Sequence, residues 1–330
     1  MQNIFFVFIT FQVFCRQLIT TKLKIIFINL ANGTFDKEDY VNLYHGQSYT
    51  KMKTLLVAFD FSKNAVHALE YAMVYANKLK ADVHLVWVDN SLSDDNLVGT
   101  IEEELRIEKK NYLKKIITDY SGQFPDIYME MHLGKGKVYQ EIAKTAQRLK
   151  ADIVFTGTHG VSGYEQYWIG SNAYRITTSS PCPVVTVRGN YPINHTVSQI
   201  LLPLDSSLET KQKLPFTVQL ADAFGAKIHL LKVYNTPLKV IRKRIDAFGE
   251  EAIEFLGKHS SNFELQTTNA DNVAAAIINY AASHAIDLIT IMTEQGTTTA
   301  NRFLGPYAQQ LINNAQVPVM SLRSVDYKQE

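Results

Sequence analysis

From Met52 onward the hydrophobic pattern alternates between two periods. Thr54–Phe59 is a continuous apolar run, as expected of a strand buried on both faces. Asn64–Lys80 then sets Ala65, Leu69, Ala72, Met73, Ala76 and Leu79 on one face of a helix, with Met73 in the core. Asp82–Val88 reads as a second strand. Gly99–Tyr120 carries helical periodicity, with Glu102, Glu103 and Glu104 near its start and Lys114 and Lys115 near its end, an order that suits the helix dipole. Ile127–Leu133, Asp152–Thr156 and Val184–Arg188 read as strands, and Val138–Leu149 and Asn172–Ser179 as helices. Five strands alternating with four helices predict an α/β unit built on a doubly wound parallel sheet. Ligands of such sheets sit beyond the carboxyl ends of the strands.

The pattern occurs twice. Lys53-Thr-Leu-Leu-Val-Ala-Phe-Asp60 is echoed by Gln199-Ile-Leu-Leu-Pro-Leu-Asp205. Leu149-Lys-Ala-Asp-Ile-Val-Phe155 is echoed by His284-Ala-Ile-Asp-Leu-Ile-Thr290, and Pro181-Cys-Pro-Val-Val-Thr-Val-Arg188 by Val317-Pro-Val-Met-Ser-Leu-Arg323. A period of about 140 residues is a duplicated domain rather than a solenoid. The joint, Gly189-Asn-Tyr-Pro-Ile-Asn-His195, is rich in turn formers. The expected organisation is a domain over 52–189, a second over 197–325, and an extension over 1–51.

That extension differs from the rest. Ile4–Phe14 is apolar but too short for a bilayer span of about 20 residues. It has neither the basic start nor the small-residue cleavage site of a secretory signal. We read Met52 as the natural start; the alternative is a peripheral hydrophobic anchor. Charged residues make up 20% of the 330 residues and balance to a net charge of +1, so neither a nucleic-acid footprint nor a membrane partner is expected. The two cysteines, Cys15 and Cys182, have no CxxC partner, which fits a reducing cytoplasm.

The chemistry is expected in loops after strands. Thr156-Gly-Thr-His-Gly-Val-Ser-Gly-Tyr-Glu-Gln-Tyr-Trp-Ile-Gly-Ser171 holds four of the sixteen glycines. Glycine lets backbone amides approach an anion closely, and successive amides form an anion nest. Ser171 is placed at the N-cap of the next helix, where free amides and the dipole favour phosphate. The spacing is neither a Walker A loop nor a GxGxxG fingerprint. Tight turn packing with Ser171 as a plain cap accounts equally for the loop taken alone.

The motif Gly157-x2-Gly160-x9-Gly170-Ser171, with the opening Leu55-Leu-Val-Ala-Phe-Asp60-Phe-Ser62 and the close Pro181-Cys-Pro-Val-Val-Thr-Val, resembles the ATP-binding class of the universal stress protein family. The resemblance covers 52–188 well and 197–324 more loosely. It implies five-stranded sheets of order 3-2-1-4-5, ATP with Mg2+ at the switch point, and dimers formed through the fifth strand. Within one chain the two copies would then pair as an internal pseudo-dimer, and a homodimer is a further expectation. By position, Asp60 matches the acidic residue beside the nucleotide, or forms an Asx turn or helix cap. Val88 matches the adenine-edge position, or is strand core. Thr156, Gly157, His159, Gly160, Gly170, Ser171 and Asn172 match the phosphate loop. His159 either donates to a phosphate oxygen or faces solvent. Ala58 stands where the family often has Pro, and 161–169 carries Glu165 but no Lys or Arg.

Lys135 and Lys137 follow the third strand, as charges near the phosphates or as a solvated turn. Trp87 and Tyr164 either stack on a purine or pack. In the second copy Thr293 is read at the first-glycine position, with an eight-residue interval between Gly296 and Gly305, Glu294 beside the loop and Pro306 after it. That points to a binding first copy and a structural or regulatory second. No catalytic constellation is visible. The expected function is a nucleotide-dependent stress-response module. The alternatives are a slow ATPase or a nucleotidyl-transfer relative, and a ligand-free scaffold.

Overall fold

The computed structural model describes residues 52–90, 99–158, 169–193, 196–259, 262–293 and 304–324. The extension 1–51, the loop residues His159, Gly160, Tyr164 and Glu165, and Glu294 and Gly296 of the second copy lie outside them. The first copy runs β1 (Thr54–Ala58), α1 (Lys63–Leu79), β2 (Asp82–Asp89), α2 (Gly99–Gln123), β3 (Met129–Lys135), α3 (Val138–Leu149), β4 (Ile153–Gly157), α4 (Ser171–Ser179) and β5 (Val184–Val187). The second runs β6 (Gln199–Leu204), a 3-10 turn (Leu208–Lys213), α5 (Leu214–Phe224), β7 (Lys227–Tyr234), α6 (Lys239–Lys258), β8 (Phe263–Asn269), α7 (Val273–Ser283), β9 (Leu288–Met292), α8 (Pro306–Asn314) and β10 (Val319–Leu322).

The ten strands of the described residues join one sheet, in the order β3-β2-β1-β4-β5-β10-β9-β6-β7-β8. Each half is parallel and has the order 3-2-1-4-5, as the sequence led us to expect. The halves meet at β5 and β10, which run antiparallel with Met320 opposite Val185. Both strands are buried along their whole length.

The duplicated Asp of the Leu149–Phe155 and His284–Thr290 segments has a structural purpose. Asp152 Oδ2 accepts from the amides of Lys53 and Thr54 at 2.7 and 2.9 Å. Asp287 Oδ2 does the same for Ser198 and Gln199, at 2.7 and 2.9 Å. Each carboxylate satisfies the first donors of its copy's opening strand and so fixes that strand against the chain entering the fourth. Ser62 caps α1 by accepting from Ala65 N at 3.1 Å. Lys80 and Lys150 end α1 and α3 in the left-handed region, at φ 54° and 52°.

The cores run across the joint. Ile169 and Ala173 of the first copy belong to a buried cluster with Leu304, Ala308, Leu311 and Val319 of the second. On the other face Tyr75 packs edge-on against Phe224, ring centres 4.9 Å apart. Among the described residues no helix is long and apolar enough to cross a membrane.

Candidate functional site

At the carboxyl ends of β1, β2 and β4 lies a cavity of about 360 Å3. It gathers Ala58, Asp60, Val88, Thr156, Gly157, Gly170, Ser171 and Asn172 on one lining, so eight of the ten residues singled out in the sequence come together. Its apolar wall is Val86, Val88, Val138, Ile142 and Ile176, part of a single packed cluster between β2 and α3. Its polar lining adds Ser62 and Asn90 to Asp60, Thr156 and the start of α4.

Helix α4 starts differently from the reading above. Gly170, not Ser171, is the N-cap, at φ −58° and ψ 147°, and no side chain caps the helix. The reason is backbone bonding. Gly170 N is tied to Thr158 O at 2.8 Å, and Gly170 O accepts the first intrahelical bond, from Tyr174 N at 2.9 Å. Ser171 is therefore the first helical residue. The amides of the first turn have no intrahelical acceptor and the positive end of the dipole lies among them. Ser171 and Asn172 are exposed.

Gly157 is required by contact. A Cβ there would lie 2.9 Å from both the backbone oxygen and the Cβ of Asn64. The missing side chain lets the start of α1 close down on the end of β4.

Asp60 forms the Asx turn, its Oδ1 accepting from Ser62 N at 3.0 Å, while the cap of α1 falls to Ser62. Between them Phe61 adopts φ 65°, uncommon for a bulky residue. Its ring is clamped by Phe59, Trp87 and Tyr112 at 5.4, 5.9 and 5.5 Å, with Lys109 Nζ 4.7 Å from its centre. Trp87 packs on Phe61 and is also among the residues that line the cavity. Lys135 and Lys137 are exposed and neither is among the lining residues.

The second copy differs where it matters, and not in the register the glycines suggest. Thr158 N donates to Val187 O and Thr293 N to Leu322 O; Gly170 N donates to Thr158 O and Gly305 N to Thr293 O. Thr293 is therefore the counterpart of Thr158, and Met292 stands where Gly157 does. The two loops are of equal length, with Gln295 at the Gly160 position. Met292 carries a side chain where Gly157 has none, and after β6 the chain winds the 3-10 turn Leu208–Lys213 before α5. Asp205 keeps the Asx turn, Oδ1 accepting from Ser207 N at 2.8 Å. Lys213, only 2% exposed, donates from Nζ to Thr210 Oγ1 at 3.0 Å. Burial pulls its pKa down to about 8 against the upward pull of Asp205. Pro306 occupies the first helical position of α8 and removes one amide.

A sequence model of the universal stress protein family matches residues 51–188 and again 196–323. A universal stress protein of Methanocaldococcus jannaschii is 28% identical over 141 residues, covering 41% of this chain and 82% of its own length. The universal stress protein YxiE of Bacillus subtilis is 25% identical over 144 residues, 41% of this chain and 97% of its own. Among solved structures, a universal stress protein from Archaeoglobus fulgidus superposes with a TM-score of 0.68 at 17% identity, covering 84% of this chain and 98% of that one. A putative universal stress protein from Pseudomonas aeruginosa gives 0.55 at 14% identity, covering 82% and 93%. These two share the fold over both halves, and the two family matches together take in most of the chain: it belongs to the universal stress protein family, in a form with two tandem domains.

Proposed function

We propose that the first copy binds ATP with Mg2+ and that occupancy of this site controls what the protein engages, in a cytoplasmic stress response. The observation that carries the reading is the uncapped start of α4 opening onto the cavity beside Gly157. A helix start of this kind offers several amides and a partial positive charge to a phosphate. The apolar wall around Val86, Val88 and Ile142 suits a purine, and about 360 Å3 lies within the range of small-ligand sites. In this reading Asp60 meets Mg2+ or a ribose hydroxyl, since a bare carboxylate beside a triphosphate would repel it. Thr156, Gly157, Gly170, Ser171 and Asn172 hold the phosphates, with His159 and Gly160 completing the loop.

The domains would run 52–189 and 197–325. The second is a structural or regulatory half in this reading, because Met292 replaces the glycine at the end of β4's counterpart and Pro306 removes an amide from the start of α8. The antiparallel contact of β5 with β10 supports an internal pseudo-dimer, and a homodimer of whole chains remains open to test by sedimentation. The role we assign is binding rather than turnover.

Calorimetry with MgATP tests this. Ser171→Glu adds a negative charge at the first position of α4, where the dipole accepts it, so the fold is kept while phosphate is repelled. One ATP per chain for the natural protein, and loss of at least tenfold in affinity for the variant, is expected. Two ATP per chain, or equal affinity in the variant, overturns the assignment. A turnover assay with and without Asp60→Ala separates binding from slow hydrolysis.

A further inference from the structure

Outside the cleft, at the outer edge of the first copy's sheet, two histidines and a glutamate converge. His84 of β2 lies opposite Glu130 of β3, and His132 follows two residues on, so both β3 side chains share a face. His84 Nδ1 and His132 Nε2 are 2.9 Å apart. Glu130 Oε2 stands 3.5 Å from the first and 3.6 Å from the second. We propose that His84, Glu130 and His132 bind a divalent transition-metal ion of the zinc(II) class.

The triangle has the right size. Tetrahedral Zn(II) with bonds of about 2.0 Å sets its ligand atoms roughly 3.3 Å apart, so the two rings need to separate by only a few tenths of an ångström. Two imidazoles and one carboxylate leave the fourth position to water. One ring now donates an N–H to the other; binding moves that proton to the donor ring's second nitrogen and frees both facing lone pairs. Glu130, its side chain 46% exposed, provides the way in.

The duplication supplies an internal control. In the second copy His229 of β7 again lies opposite a glutamate, Glu264 of β8. There every ligand position is already taken. His229 Nε2 meets Gln199 Oε1 at 2.6 Å, and its Nδ1 meets Tyr280 Oη at 3.0 Å. Lys227 pairs with Glu264 at 2.6 Å. Gln266 stands where the first copy has His132. In the first copy the Lys227 position is Asp82, an exposed acid that favours a cation. One group opposes binding: Arg148 of α3, exposed, with its NH2 3.4 Å from His132 Nδ1. The site lies four residues before Val88 along β2, roughly 13 Å from the cleft, and shares no residue with the Asp60 turn.

The test uses the untagged full chain, free of nucleotide, titrated with Zn(II) against a chromophoric chelator and separately with Co(II). One Zn(II) per chain at low micromolar affinity or tighter is expected, with a visible Co(II) band of tetrahedral intensity. His132→Gln, the residue the second copy tolerates there, is expected to weaken Zn(II) more than tenfold and abolish the band. Glu130→Gln should weaken binding several-fold, Arg148→Ala tighten it, and Asp60→Ala leave it unchanged. If His132→Gln melts lower without metal, the exposed Arg148→Ala decides by its tightening. Absence of binding at 100-fold higher Zn(II), equal affinity in His132→Gln, no tightening in Arg148→Ala, or loss in Asp60→Ala overturns the proposal.

Discussion

Asn313 Oδ1, in the second copy, accepts a hydrogen bond from the backbone amide of Ile169, in the first, at 2.6 Å. Ile169 is the residue immediately before the Gly170 cap, so one copy braces the helix start of the other. The brace is reciprocal: Tyr174 Oη of α4 accepts from Leu304 N, just before the Gly305 cap of α8, at 3.3 Å. Arg188 donates to the backbone oxygen of Asn313, which further fixes that residue. The second copy thus shapes the rim of the first copy's cavity.

Asn313→Ala removes the acceptor and leaves a buried amide unpaired, a loss of about 1 kcal/mol. ATP affinity is expected to fall roughly three- to tenfold. Asn313→Asp keeps an acceptor beside Arg188 and should restore most of it. Calorimetry on both variants checks this; equal affinities in the Ala and Asp variants would show that the contact does not position the loop.

Gly157→Ala tests the contact between β4 and α1. Its Cβ would meet Asn64 backbone at 2.9 Å, and backbone yields less readily than a side chain. Overpacking of this kind costs roughly 1–3 kcal/mol. Gly122→Ala is the comparison, since nothing lies within 4 Å of a Cβ there and a helical Ala is favoured over Gly. Urea unfolding should show the first destabilised and the second unchanged or slightly stabilised. A Gly157→Ala variant as stable as the natural protein would mean that α1 shifts freely to accommodate the added Cβ.

These contacts also mark what the sequence could tell. The strand and helix order was legible because continuous apolar runs and 3.6-residue periodicity are local signals. So were Asp60 and the Gly170 region, whose position in the chain follows from strand ends. The counterpart of Gly157 was misread, because visible glycines at 296 and 305 drew the comparison away from Met292. Only the backbone bonds of Thr158 and Thr293 fix the register. The cap falls at Gly170, one residue before the Ser171 read from the sequence, because it is defined by which carbonyl accepts first. The clamp on Phe61 joins Trp87 and Tyr112, and the Asn313 contact spans 144 residues, so neither leaves a periodic trace.

The seam between β5 and β10 gives a further expectation. Val185 and Met320 face each other with no exposure. Thr186 Oγ1 adds a bond to Val319 O at 3.2 Å. Pro at either Val185 or Met320 removes a ladder donor from a central strand, where Pro is not tolerated. Thermal unfolding midpoints should drop by roughly 5 °C or more in each variant. Unchanged midpoints in both would show that the joined sheet contributes little to stability.

Lys213 makes stability depend on pH in a stated direction. Burial lowers its pKa from the ordinary 10.5 to about 8 in the folded chain. Between these values the unfolded chain binds more protons than the folded one, so stability rises with pH across that window. The penalty of holding the ammonium in place is complete below about pH 8 and gone above about 10.5, and amounts to about 3 kcal/mol at most. Lys213→Met keeps the length and removes the charge. It also takes a donor from Thr210 and a counter-charge from Asp205, so the gain at pH 7 should be smaller, about 1–2 kcal/mol. Other titrating groups are common to both proteins, and the difference between the two cancels their contribution. Urea unfolding of the pair at pH 7, 8.5 and 10 should show the variant's advantage shrinking at each step. An advantage that stays constant or grows with pH would mean that Lys213 keeps an ordinary pKa and that its burial carries no electrostatic penalty.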